Sequence, residues 1–134
     1  MLPFAPRTRV VNMRNGNNDY DVRIDRTTKW GNKFYMKKET VAERDRVCDC
    51  HKVDLWRKIL NGDITLRELD ALYGKKLGCW CWPKRCHGDA IVEAVEWAHA
   101  LICKYERIKA TYRKRKRGKG NRTKKVSKKG RRVA

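Results

Sequence analysis

Nine residues, Cys79-Trp80-Cys81-Trp82-Pro83-Lys84-Arg85-Cys86-His87, constrain this chain more than any others. They crowd three thiols, an imidazole, two indoles and two cations into one turn-forming segment, and Gly88-Asp89 opens a helix pattern directly after it. Lys76-Leu77-Gly78-Cys79-Trp80, just upstream, reads as a buried strand. A strand, a loop and a helix in that order suggest an α/β layer fold, in which sites gather beyond the carboxyl ends of strands and before helix amino termini. The cluster occupies that position, so it is expected to be a site or a metal clip.

The rest of the chain supplies elements for such a fold. Arg9–Met13 reads as a short strand, Asn15–Asn18 as a turn, and Tyr20–Asp25 alternates apolar and polar residues as a half-buried strand does. The two strands are expected to form a hairpin or to neighbour each other in one sheet. Thr40-Val41-Ala42-Glu43 fits a capping box, followed by a helix to about Leu60 with Val47, His51, Leu55 and Ile59 on one face. Thr65–Glu68 is a second capping box and predicts a short helix ending at Gly74. Asp89 is placed to cap a last helix that runs to about Tyr112.

Zinc prefers four Cys or His ligands in a tetrahedron, and Cys79, Cys81, Cys86 and His87 supply that set. In a regular strand the thiols of residues 79 and 81 would stand about 6.5 Å apart, so both reach one ion only if the strand breaks at Trp80. Cys48 and Cys50 lie about 200° apart around their helix, so at most one of them, together with His51, faces the cluster. Two other readings stay open. Cys79 and Cys81 can be small buried hydrophobes. Alternatively, Cys86, beside His87 and Arg85 at a helix amino terminus, is a reactive thiol, which makes Cys86, His87 and Asp89 the catalytic candidates. The C-x5-R spacing of Cys79 and Arg85 is a weak match to a phosphatase loop, because no glycine lies between them. Free amides and the helix dipole, with Lys84, Arg85 and Gly88, predict a phosphate-binding loop. Trp30 and Trp82 are candidate base-stacking platforms. Asp19, Asp21 and Asp25, alternating with Arg23 and Arg26, read as the solvated face of a strand.

Composition divides the chain near residue 112. Residues 113–134 hold +13 of the formal +20 and no acid. With only Val126, Val133 and Ala134 as apolar side chains, this segment cannot bury enough surface to offset chain entropy, and it is expected to be an intrinsically disordered tail in isolation. Its cations, Arg113, Lys114, Arg115, Lys116, Arg117, Lys119, Arg122, Lys124, Lys125, Lys128, Lys129, Arg131 and Arg132, match a polyphosphate backbone, DNA or RNA, bound through counterion release. No apolar run approaches the roughly 20 residues that span a bilayer. Met1–Pro6 lacks the cationic start and apolar run of a signal peptide, so a reducing compartment, the bacterial cytoplasm or a phage-infected host, is expected, with a virion as the other setting.

Trp30-Gly31-Asn32-Lys33-Phe34, after Tyr20-Asp21-Val22 and Arg26, resembles the W-G-N-P-F block of a family of uncharacterised small domains in bacteria and bacteriophages. That family's second block, C-W-C-x-P-x-x-C-H-G-D, agrees with Cys79 through Asp89 at every specified position, and the resemblance covers roughly residues 9–98. Lys33 departs from the pattern, standing where the family has Pro. The resemblance implies a phage or bacterial origin and carries no activity with it.

These readings combine into a small two- or three-layer, Rossmann-like α/β core (residues 1–112) with a long C-terminal helix and a basic tail (113–134). The expected function is a nucleic-acid-binding accessory protein, part of a larger nucleoprotein assembly, with a structural zinc site. The alternative is an enzyme acting on a nucleotide or nucleic acid through the Cys/His cluster.

Overall fold

The computed structural model describes residues 7–130, with the backbone alone over 121–130. Three strands, β1 (Arg9–Asn12), β2 (Val22–Arg23) and β3 (Lys76–Cys79), form one parallel sheet in the order β1-β3-β2. Helices α1 (Val41–Leu60) and α2 (Leu66–Asp70) connect β2 to β3, and α3 (Gly88–Gly130) follows β3. The α/β class therefore stands, as a small parallel sheet with a long C-terminal helix.

The hairpin expectation does not. β1 and β2 share a sheet, but β3 separates them and pairs with both, Val10 with Leu77 on one side and Val22 with Leu77 on the other. The reason is apolar: Leu77 and Ile24 are fully buried, and a central position gives the Lys76–Cys79 segment neighbours on both edges. The turn at Asn15-Gly16, both at positive φ, does not make a hairpin, because β1 and β2 both run parallel to β3 and so in the same direction.

Local signals set the helix starts. Thr40 Oγ1 accepts the Glu43 amide at 3.1 Å, but the Glu43 carboxylate accepts from the Lys37 amide (3.0 Å) and from Arg46, so only half of the first capping box forms. The second is complete, with Thr65 and Glu68 satisfying each other's amides at 3.2 Å. α2 stops at Asp70, and turns carry the chain on to Gly74. On α1 the expected stripe of Val47, His51, Leu55 and Ile59 is buried throughout. Leu55 and Ile59 of this stripe join Val10, Ile24, Leu69, Leu77, Ile91 and Val95 in one core.

Two features of α3 differ from expectation. Asp89 lies inside the first turn and not at the cap, its carboxylate reaching back to the Cys86 amide at 3.5 Å. The helix also continues past Tyr112 to Gly130, where the composition predicts disorder. Lys and Arg are good helix formers and no proline interrupts the run, so backbone propensity favours helix even where no apolar face is available to bury. The chain divides into two compact units, Met1–His99 and Ala100–Ala134. Arg131 and Arg132 lie outside the described residues. None of the described helices is long and apolar enough to cross a membrane.

Candidate metal centre

β3 ends at Cys79, and the chain leaves the sheet at Trp80. That break, required if the thiols of residues 79 and 81 are to meet, turns Cys81 back toward the strand end. A turn closed by the Lys84 amide on the Cys81 carbonyl (3.0 Å) then returns the chain to Cys86, immediately before α3. Cys79, Cys81 and Cys86 converge, their Sγ atoms all within 4.8 Å of one another. Cys79 and Cys86 are closest, at 2.8 Å, and the Gly88 amide donates to Cys86 Sγ at 3.3 Å. Gly88 is required by packing, since a Cβ there would meet Val10 Cγ2 at 2.7 Å and Ile24 Cδ1 at 2.9 Å. The first turn of α3 thus sits directly on the sheet and brings Cys86 to the end of β3.

Three thiols at this spacing can hold a metal ion. Hydrogen bonds among them differentiate their acidities. Cys81, accepting from Cys79 and Cys86 and facing Arg44, is held well below the ordinary thiol range. Its bond with Cys81 pushes Cys79 up, and bonds to Cys79 and Cys81 together with burial push Cys86 up. Cys86 is 3% exposed, the most enclosed position in the loop that follows the strand.

His87 stands outside the trio. Its Nε2–H donates to the Ile24 carbonyl at 2.6 Å, its Nδ1 is 3.4 Å from Cys86 Sγ, and burial lowers its pKa. The His51 ring meets it edge-on at 5.0 Å. His51 is itself held down to about 4 by burial and by His87, and its buried Nδ1 has no hydrogen-bond partner among the described residues. Of the two α1 cysteines only Cys48 approaches the cluster, its thiol 3.8 Å from the Arg85 carbonyl. Cys50 points elsewhere, as the 200° offset requires.

The residues of the expected phosphate loop have partners within the chain. Arg85 spans Asp45 (2.9 Å) and Asp49 (2.6 Å) on α1, Lys84 pairs with Glu39 at 3.3 Å, and the Gly88 amide is taken by Cys86. Trp30 is buried and offers no stacking face, whereas Trp82 is exposed.

Sequence reasoning passed over Asp25. The strand alternation ends one residue early, so Asp25 is 5% exposed and not on a solvated face. It accepts from Thr27 Oγ1 (2.5 Å), Arg23 (2.6 Å) and the Trp80 indole N–H (3.0 Å), linking β2 to the cluster loop. Burial pushes its carboxyl up, but those donors outweigh burial and hold it at about 2, below its ordinary 3.8. A depressed carboxyl stabilises the fold above its unfolded pKa, and that contribution disappears as pH falls through the folded value. Asp25→Asn should therefore remove about 2 kcal/mol of the stability lost between roughly pH 4 and pH 2, flattening the acid limb of the unfolding curve. Superimposable acid-unfolding curves for the two proteins would contradict this role.

The W-G-N-K-F block lies beside the same loop and has a packing role. Asn32 is buried, donating to the Val47 carbonyl of α1 at 2.9 Å and accepting from the Phe34 amide at 2.9 Å. Arg26 clasps the carbonyls of Asn32 and Phe34. Lys33, at the position where the resemblance expects Pro, pairs with Asp54 at 3.2 Å.

Both sequence blocks thus frame a single site, and comparison with known proteins matches the same stretch. The family of domains of unknown function DUF4326 matches residues 10–97. The chain belongs to this family. An uncharacterized 12.4 kDa protein in the nrdA-td intergenic region of Enterobacteria phage T4 shares 44% identity with it over 87 residues, spanning 65% of this chain and 76% of the relative. No solved structure matches significantly. The DUF4326 match ends at residue 97, so it contains the thiol trio and stops before the basic part of α3.

Proposed function

We propose that this chain is a nucleic-acid-binding accessory protein of a phage or bacterial cell, with a zinc ion on Cys79, Cys81 and Cys86 clipping the end of β3 to the start of α3. The observation that carries the nucleic-acid reading is the acid-free run of the second unit. No Asp or Glu follows Glu106, and Arg113 through Lys119 are exposed on helix. At 100° per residue, Arg113–Arg117 distribute their charges around the helix axis, leaving no neutral face and suiting a polyphosphate surface more than one shaped pocket. Thiolates select zinc and other soft ions over magnesium or calcium. Zn–S bonds of about 2.3 Å place tetrahedral sulfurs about 3.8 Å apart, so a zinc ion would require only small shifts of the trio.

The test is removal of residues 113–134. Affinity for duplex DNA or RNA should fall, and the slope of log K against log salt should become shallower by several units, since each neutralised phosphate contributes about 0.9. An unchanged slope and affinity in the truncated chain would refute the nucleic-acid reading.

A further inference from the structure

The three cluster sulfurs share a wall of a cavity of about 260 Å³ with Arg44, Trp80, Met36 and Val47. Among the described residues no other Cys, His, Asp or Glu joins the trio within 4.8 Å. His87 is the nearest candidate, with its Nε2 on the Ile24 carbonyl and its Nδ1 3.4 Å from Cys86 Sγ, but its ring nitrogens do not come within 4.8 Å of all three sulfurs.

We propose that the ion on Cys79, Cys81 and Cys86 keeps its fourth position open to this cavity, and that a small organic anion binds there with a donor atom on the ion and its charge on Arg44. The inference rests on the metal reading above. Three thiolate ligands with an open position describe a site that accepts an exogenous donor, in contrast to a closed four-ligand clip. The size follows from the cavity, which holds about nine water-sized volumes and falls below the range for drug-sized ligands. Met36, Val47 and Trp80 provide apolar contact, which favours an organic molecule over an inorganic ion.

Arg44, which also reaches the Arg85 carbonyl at 3.4 Å and faces Cys81, is the cation assigned to the ligand's charge, because its carboxylate partner is exposed. Arg26 and Arg85 also line the cavity, but Arg26 is engaged by two backbone carbonyls and the Tyr35 ring, and Arg85 by two aspartates. The Arg44 side chain is 13% exposed, and its carboxylate partner Glu39, 3.2 Å away, is 66% exposed. That exposed partner can be exchanged for a ligand carboxylate at little cost. Asp25 also contributes to the wall, with its charge answered by Arg23 at 2.6 Å.

The test uses the full chain with cobalt(II) in place of zinc, titrated at a pH above the pKa of both imidazoles with imidazole-4-acetate and, in parallel, with 4-methylimidazole, which lacks the carboxylate. Both should shift the cobalt absorption bands saturably. The acetate form should bind about tenfold or more tightly, the effect of one charge-assisted contact. Arg44→Gln should erase that preference while leaving 4-methylimidazole unaffected, and Arg44→Lys should restore part of it. His87→Gln should leave the ligand-free bands unchanged. Bands that ignore both probes, or that change with His87→Gln, would show a closed four-ligand site and overturn the proposal while leaving the metal reading intact. Failure to take up cobalt at all would overturn the metal reading itself.

Discussion

Cys86→Ser is expected to strip the chain of its metal and to lower its melting temperature by roughly 12–24 °C. Cys86 joins Cys79, seven residues earlier at the end of the central strand, to the first turn of α3, with 2.8 Å between the sulfurs and the Gly88 amide on its own. Serine preserves size and hydrogen bonding but not the soft thiolate, so the loss reports on metal ligation more than on packing. An ion bound only by the folded chain contributes its binding free energy to folding, and losing about 3 kcal/mol of that produces a shift of this size in a domain of roughly 100 residues. Cys103→Ser, in the second unit, should leave metal content unchanged. Chelation of the wild-type chain should reproduce the Cys86→Ser melting curve. Elemental analysis of protein purified without chelator is the direct measurement: a folded, fully reduced, metal-free chain would return Cys79, Cys81 and Cys86 to the status of buried thiols.

Gly31→Ala should be the other large effect, at about 3 kcal/mol and roughly 12–24 °C in melting temperature. A Cβ at position 31 would lie 2.5 Å from Arg26 Cα and 2.6 Å from the Asp25 carbonyl oxygen. Both are backbone atoms, so no side chain can rotate away and the loop itself must move. The movement would disturb the Asn32 bond to Val47 and the Arg26 clasp, and through Asp25 the indole of Trp80 in the cluster loop. Gly118→Ala makes the contrast, because nothing lies within 4 Å of a Cβ there and alanine favours helix. Thermal melts of the two variants side by side check the claim, and equal curves would remove the steric account of the W-G-N block.

Much of the scaffold was legible because it depends on short-range rules. The bounds of α1, its buried stripe of Val47, His51, Leu55 and Ile59, and the capping box at Thr65–Glu68 all follow from interactions within one or two turns. The strand leading into the cluster was legible for the same reason, as was the requirement that it break at Trp80 if Cys79 and Cys81 were to converge. The family, too, was readable from its two motif blocks.

Tertiary structure decided what those pieces do together. No local rule could insert β3 between β1 and β2, because that order depends on which edges the buried Leu77 segment covers after the 52 residues between β2 and β3. Asp25 read as solvated because alternation describes a strand, and the strand ends at Arg23; beyond it, Trp80 and Thr27 surround the carboxylate. Lys84 and Arg85 read as a phosphate loop because their counter-charges, Glu39, Asp45 and Asp49, lie about 40 residues away and reach them only when α1 packs beside the cluster. The sequence by itself determined the supply of thiols and cations and the helices and strand that carry them. Only the packing of α1, β3 and the start of α3 decided that His87 turns to Ile24 and that Arg44 faces the cavity beside the thiols, since each of these is a contact between residues distant along the chain.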